Sequence, residues 1–352
     1  MGKVRNFSPW AYWMIRLSEA AQHDPLPADR TDQFQGWRDR ARERLVDLLG
    51  ESPQRVDLDL ETTDIVQCEG YRRERVVFDT EATMSVPAYL LIPNSRKSSG
   101  PAVLAIHGHG PGKDAICGVT HSGNPQSLDT NFDDAPSDGQ DYAVALVRHG
   151  FVVLAPDLRC FGERADWEPE DRYLCDGNLV HATMAGTNPM TLNLWDLMRS
   201  IDVLLDHQLV DETRVGVVGF SYGATLALFL SALDDRVAAT VVSGYFSSWA
   251  ESHKVPWNMC GSQVFSGMLG EFEHVDLGAL ICPRPLLIET GSEDLLFPLS
   301  AAQRSIEELQ KVYLAFGVSD KLVHDVFHGE HAWHGAKAYR FLKRWLFDPT
   351  TS

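Results

Sequence analysis

Two hydrophobic rhythms divide the chain. From Asp32 to Leu49 apolar residues recur every three or four positions, and the run stops at Gly50 with Pro53 just beyond. That spacing predicts an amphipathic helix, and residues 1–60 as a whole read as mostly helical. From about Thr62 the period falls to two, so Asp64–Cys68, Glu74–Phe78 and Val86–Ile92 are expected to form a meander of antiparallel strands that turns at Pro93-Asn94. Beyond it, short apolar runs alternate with helical segments. The runs Ala102–Ile106, Val152–Ala155, Val215–Val218, Val237–Val242, Pro285–Glu289 and Leu322–Phe327 read as strands. Helices are expected around Tyr142–His149, Thr191–Gln208, Tyr222–Leu233, Ser300–Leu314 and Gly335–Leu346. This alternation predicts the α/β class: a mostly parallel twisted sheet with helices on both faces over residues 61–352, preceded by an N-terminal helical extension over residues 1–60.

Three connections are too long for plain loops: Gly108–Gln140, Leu158–Met190 and Ser243–Leu280. The first two leave the carboxyl ends of their strands, the side on which such sheets bind ligands. The third carries Tyr245, Phe246, Trp249, Trp257, Met259, Phe265 and Met268, which suit either an apolar lid near 243–280 or an insertion packed on its own aromatics.

Composition narrows the partners. The 352 residues are 44% hydrophobic and 23% charged, enough for one large domain with a sizeable core. A net charge of −18 sets the chain against phosphate backbones and anionic membrane surfaces, so neither nucleic acid nor a membrane is an expected partner. The apolar run Trp10–Ile15 ends at Arg16, too short for a signal peptide, and nowhere do about 18 apolar residues run uninterrupted. Six scattered cysteines without C-x-x-C spacing suggest free thiols and a reducing, cytoplasmic setting. Residues 1–60 could cap a site or support self-association as a homo-oligomer; the sequence leaves both open.

The most informative stretch is Gly219-Phe220-Ser221-Tyr222-Gly223, lying between the apolar run Arg214–Val218 and the helix-forming run from Ala224 to Leu233. A serine on so sharp a strand-to-helix turn stands exposed at its apex, above the unpaired N–H groups of a helix N-terminus. After the first strand of the alternating region comes His107-Gly108-His109-Gly110, which could bring a second N–H toward the same point; the expected donors are the N–H groups of Tyr222 and His109, with Gly110 as the alternative to His109. Metal ligation by His107 and His109 is the weaker reading, because H-x-H lacks a carboxylate and a third histidine at familiar intervals. The strand Pro285–Glu289 runs into a loop holding Glu293 and Asp294; Asp294 is preferred as the acid, since backbone N–H groups can hold the shorter carboxylate ionised. The last strand leads to His328, His331 and His334, of which His331 is preferred because Gly329 precedes it and Ala332-Trp333 can anchor its loop. A zinc cluster of His324, His328, His331 and His334 is conceivable, but a bare surface run of histidines explains the spacing too.

The order of His107–Gly110, Gly219–Gly223, Asp294 and His331 resembles the α/β-hydrolase superfamily, and more narrowly its dienelactone-hydrolase-like, acetyl xylan esterase-related branch, over roughly residues 62–348. The resemblance implies a serine carboxylesterase acting on a small or medium ester, with no metal or other cofactor. Ser221 would be the nucleophile, His331 the base, Asp294 its orienting acid, and Gly110, Arg159 and Trp249 would line the substrate. Two departures stand out. Dienelactone hydrolases proper use cysteine where this chain has Ser221, and relatives often read Asp-x-Arg-Gly-x-Gly where this chain reads Asp157-Leu158-Arg159-Cys160-Phe161-Gly162, which suggests a differently shaped loop. Asp157 and Arg159 read as an ion pair beside the site. Acyl transfer on the same triad, and a non-catalytic binding protein on the same fold, are the rival functions.

Overall fold

The computed structural model describes residues 5–20, 22–28, 30–119, 140–165, 174–253 and 258–347. Among them, nine strands form one sheet: β1 (Glu61–Cys68), β2 (Tyr71–Glu81), β3 (Met84–Pro93), β4 (Gly100–Ile106), β5 (Val152–Pro156), β6 (Val210–Phe220), β7 (Val237–Ser243), β8 (Leu286–Gly291) and β9 (Leu322–Phe327). Their order across the sheet is β1-β2-β3-β5-β4-β6-β7-β8-β9. The period-two segments form the antiparallel meander β1-β2-β3, and β3 pairs antiparallel with β5. From β5 to β9 every neighbouring pair is parallel. The central parallel strands are mostly apolar because helices cover both faces: β4, β5 and β8 are buried at every residue.

Two apolar layers flank the sheet. One contains residues of the helices Pro189–Leu205, Tyr222–Leu233 and His274–Ile281; the other contains residues of Tyr142–Arg148 and Ala338–Leu346. The helix Thr31–Leu49 belongs to the first layer through Phe34, Trp37 and Leu45, each buried. Burial of such side chains contributes about 1.5–3 kcal/mol apiece. Thr191 and Asn188 donate to the carbonyl of Leu49 at 2.6 and 3.0 Å, satisfying an acceptor at that helix's end. This helix is part of the main core, not an appendage beside it.

The aromatic stretch 243–280 also packs inward. Tyr245, Phe246, Trp249, Phe265 and Met268 are all buried in the first layer, which favours the packed insertion over the lid; Trp257 lies outside the described residues. The middle parts of the two earlier long connections, 120–139 and 166–173, also lie outside them. No helix is long and apolar enough to cross a membrane among the described residues.

In chain order β4 is followed by β5 on one side and β6 on the other, so the strand order reverses at β4. The crevice at the carboxyl ends of β4 and β6 is where this topology leaves room for a ligand.

Candidate active site

Ser221 sits in that crevice. It follows β6 directly and precedes the helix Tyr222–Leu233, with φ 55° and ψ −119°. A non-glycine residue held there stores about 1–3 kcal/mol of backbone strain. The neighbouring glycines are required by close approach. A Cβ on Gly219 would lie 2.1 Å from the carbonyl oxygen of Gly223, and one on Gly223 would lie 2.1 Å from that of Ile106. The turn is fastened to β7 by the Ser221 N–H, which donates to the Ser243 carbonyl at 2.9 Å.

Asp294 lies in the turn after β8 and His331 in the loop after β9, two adjacent parallel strands. Backbone bonds lock these loops together, from Ser292 N–H to the Phe327 carbonyl and from Glu293 N–H to the Gly329 carbonyl, both 2.8 Å. Gly291 permits the approach, since a Cβ there would meet the Glu330 carbonyl oxygen at 2.3 Å. His331 Nε2 is 2.9 Å from Ser221 Oγ, and His331 Nδ1 is 2.8 Å from Asp294 Oδ2. The other carboxylate oxygen, Oδ1, accepts the N–H groups of Leu296 (2.8 Å) and Phe297 (3.1 Å). Because a carboxylate only accepts, His331 Nδ1 must donate, which leaves Nε2 as an acceptor facing the serine hydroxyl. The imidazole is held between the rings of Phe220 (4.8 Å between centroids) and Phe297 (5.7 Å). Trp333 anchors its loop by stacking on Tyr142 at 4.4 Å.

The loop after β4 runs beside the serine: a Cβ on Gly108 would lie 3.0 Å from the Phe220 carbonyl oxygen and 3.3 Å from Ser221 Cβ. His107 is buried there and does not face the crevice. Its Nδ1–H points to the Gly108 carbonyl at 2.7 Å, and its Nε2 accepts the Leu158 N–H at 3.0 Å. Burial holds the ring's pKa below the usual histidine value, so it stays neutral and ties the ends of β4 and β5 together. The His109 ring is exposed and Gly110, with φ 139°, borders open space. Tyr222 opens its helix, so its N–H has no carbonyl one turn back to donate to.

Several sequence expectations need correction. Arg159 is largely buried and paired with carboxylates: its Nε donates to Asp196 at 2.9 Å, and its Nη2 donates to Asp196 at 3.0 Å and to Glu81. Nor does Arg159 pair with Asp157, whose partner is the buried Lys113, with Nζ 2.7 Å from Oδ2. Lys113 bonds Glu163 as well, at 2.6 Å, and despite partial burial the Arg75 and Lys113 charges beside Glu163 hold its carboxyl down at about 2. Trp249 is wholly buried, with its indole N–H donating to the Tyr245 hydroxyl at 3.2 Å, so it packs and does not line the crevice. The four histidines proposed as a zinc cluster diverge: His324 bonds Thr290, His328 stands beside Glu293, His331 faces Ser221, and His334 bonds Asp325. Cys160 takes a left-handed backbone conformation, with φ 73°, a region that favours glycine and strains a cysteine.

Sequence reasoning missed the support beneath the histidine loop. The carboxyl of Glu289, wholly buried in β8, accepts the Gly335 N–H at 2.9 Å, while Asp325 holds His334 (3.1 Å) and Lys337 (2.8 Å). Burial pushes Glu289 up to about 7. A charged residue ending an otherwise apolar strand was the one available signal.

Residues 19–312 match the model of the Abhydrolase family. The chain is 28% identical over 317 residues to YtaP, a candidate hydrolase of Bacillus subtilis (strain 168), covering 87% of this chain and 98% of that protein. A candidate acetyl xylan esterase from Bacteroides fragilis NCTC 9343 superposes with a TM-score of 0.76 at 21% identity, over 92% of this chain and 83% of the other. A glucuronoyl esterase from Solibacter usitatus gives 0.65 at 16% identity, over 92% and 95%. At those identities the solved structures speak for a common fold, and the family model covers most of the chain: this protein belongs to the Abhydrolase family and has the α/β-hydrolase fold.

Proposed function

We propose that the protein is a serine esterase that hydrolyses small or medium carboxylic esters through an acyl-enzyme on Ser221. The observation that carries the reading is the continuous relay from Ser221 Oγ to His331 Nε2 (2.9 Å) and from His331 Nδ1 to Asp294 Oδ2 (2.8 Å). His331 takes the serine proton as Oγ attacks the ester carbonyl carbon, and Asp294 stabilises the imidazolium that forms. The N–H groups of Tyr222 and His109, with Gly110 as the alternative to His109, would donate to the tetrahedral oxyanion from roughly 2.7–3.1 Å. His331 then protonates the departing alkoxide. Water repeats the cycle on the acyl-serine, returning the acid and free enzyme.

Two similar solved structures are named as acting on carbohydrate esters, which makes acylated sugars the first substrates to examine. The net charge of −18 favours uncharged esters over anionic ones. Hydrolysis of a short-chain chromogenic ester by wild type and Ser221→Ala tests the reading: the variant should lose at least about 10³-fold in kcat, and equal rates would refute it. Acyl transfer on the same relay is separated by product analysis with added alcohols.

A further inference from the structure

Beside the serine turn, three soft donor atoms that the relay does not use converge. His109 Nε2 lies 3.2 Å from Cys260 Sγ, and these two atoms and Cys175 Sγ all lie within 4.8 Å of one another. They come from three separate places: the loop after β4, the start of the helix Leu174–Met184, and the residue preceding the turn Gly261–Gln263. The backbone around them is fixed. Gly261 N–H donates to the Asp176 carboxylate at 2.6 Å, Cys260 N–H donates to the Gln263 side chain at 3.2 Å, and the Gln263 amide donates to Thr225 in the helix behind Ser221 at 2.9 Å. The His109 ring is steadied by Phe161 and Tyr222, 5.4 and 5.2 Å away between centroids.

The spacing fits one ion. Tetrahedral Zn²⁺, with bonds of about 2.3 Å to sulfur and about 2.0–2.1 Å to nitrogen, needs a sulfur–sulfur edge of roughly 3.8 Å and a sulfur–nitrogen edge of roughly 3.6 Å. The separations found here, 3.2 Å from His109 Nε2 to Cys260 Sγ and none above 4.8 Å among the three atoms, bracket those values. Both cysteines are free thiols, and the Cys260 thiol beside it, together with burial, raises the Cys175 pKa. A divalent cation would reverse that effect, since it binds and stabilises the thiolates. His107, the other histidine of the H-x-H pair, is turned away into the core, so the pair acts through one member and two distant cysteines.

We propose that His109, Cys175 and Cys260 form a binding site for a thiophilic divalent cation of the Zn²⁺ class, with the fourth position left to water or a small ligand. Binding replaces two S–H protons by two metal–sulfur bonds, releases two protons, and leaves a locally neutral Zn²⁺–dithiolate. No electrons are transferred. Occupation joins the loop carrying His109 to the helix Leu174–Met184, and because His109 N–H is a proposed oxyanion donor, it slows ester hydrolysis. That consequence rests on the esterase reading; the binding itself does not.

The test is a titration of metal-free, reduced protein with Co²⁺, followed by displacement with Zn²⁺. Wild type should show thiolate-to-Co²⁺ charge-transfer absorption saturating at one ion per chain, with proton release, and Cys68→Ser should behave alike. Cys260→Ser, a near-isosteric change at a part-exposed position, and Cys175→Ser should each weaken binding at least ten-fold. Absence of the absorption in wild type, or its persistence in both variants, overturns the site. Zn²⁺ at saturation should slow ester hydrolysis by wild type and not by Cys260→Ser; an equal response in both overturns the coupling. The optical readout requires no hydrolysis, so failure of the esterase reading and failure of the metal site are separate results.

Discussion

Asp294→Asn is the substitution whose consequence follows most directly from the hydrogen bonds around the site. Asp294 Oδ1 accepts two backbone N–H groups, from Leu296 and Phe297, while Oδ2 faces His331 Nδ1. An asparagine can accept through its oxygen only, so the two backbone donors draw that oxygen to the Oδ1 position and leave the NH₂ group facing His331. The imidazole must then accept at Nδ1 and carry its proton on Nε2. That proton points at Ser221 Oγ, and the ring cannot take the serine proton. In serine proteases with the same three groups this change of tautomer costs about 10⁴ in kcat, equivalent to about 5 kcal/mol of transition-state stabilisation. Both backbone bonds survive, so the melting temperature should stay within a few degrees of wild type. Steady-state kinetics on a chromogenic ester, with circular dichroism to verify folding, should show kcat reduced about 10⁴-fold at nearly constant KM. A folded variant retaining more than about a tenth of wild-type kcat would refute the tautomer argument.

Other consequences can be checked together. Ser221→Gly should be more stable than Ser221→Ala by about 1 kcal/mol in denaturant unfolding, because glycine adopts φ 55° without strain, while both lose hydrolysis; equal stabilities would contradict the strain assigned to this turn. Gly223→Ala should destabilise by about 3 kcal/mol or more, since its Cβ would meet the Ile106 and His107 carbonyl oxygens at 2.1 and 2.6 Å; a loss below about 1 kcal/mol would mean the strand and helix are not so tightly apposed. Glu289 governs part of the pH dependence of stability. Burial raises its pKa from 4.5 to about 7, so the folded chain keeps a proton that the unfolded chain has released. Its contribution to stability is therefore full below about pH 4.5, declines between about 4.5 and 7, and is lost above. Glu289→Gln should flatten that window, gaining up to roughly 3 kcal/mol on wild type between about pH 4.5 and 8, and superimposable pH profiles for the two proteins would contradict it.

What the sequence disclosed was local pattern. Each of the nine strands was legible because a buried parallel strand is a short apolar run and the meander alternates. The serine turn was legible because its glycines are set by backbone crowding within a few residues. The relay partners came from chain order, and His331 was preferred over His328 and His334 from its neighbours Gly329 and Ala332-Trp333; what the sequence did not carry was the separation from Ser221 and Asp294, which depends on how β8 and β9 lie side by side. The same holds for the ion pairs. Arg159 was expected to join Asp157, two positions away, yet its partner Asp196 comes from the helix Pro189–Leu205, and Asp157 turns to Lys113. The helix His274–Ile281 was missed because it is nearly all buried and so lacks an amphipathic stripe, while Leu174–Met184 lies within a connection whose residues show no helical period. Trp249 read equally well as a lid or as a core residue, since an aromatic's hydrophobicity does not say which side of it faces water.

Reaction with a fluorophosphonate probe, read by mass spectrometry, tests the central claim most directly, because phosphonylation needs a serine made nucleophilic by its neighbours and needs no knowledge of the substrate. One adduct per chain is expected, on the peptide containing Ser221, with the rate of labelling collapsing in His331→Ala. A folded wild-type protein that stays unlabelled, or one labelled at another residue, would contradict it.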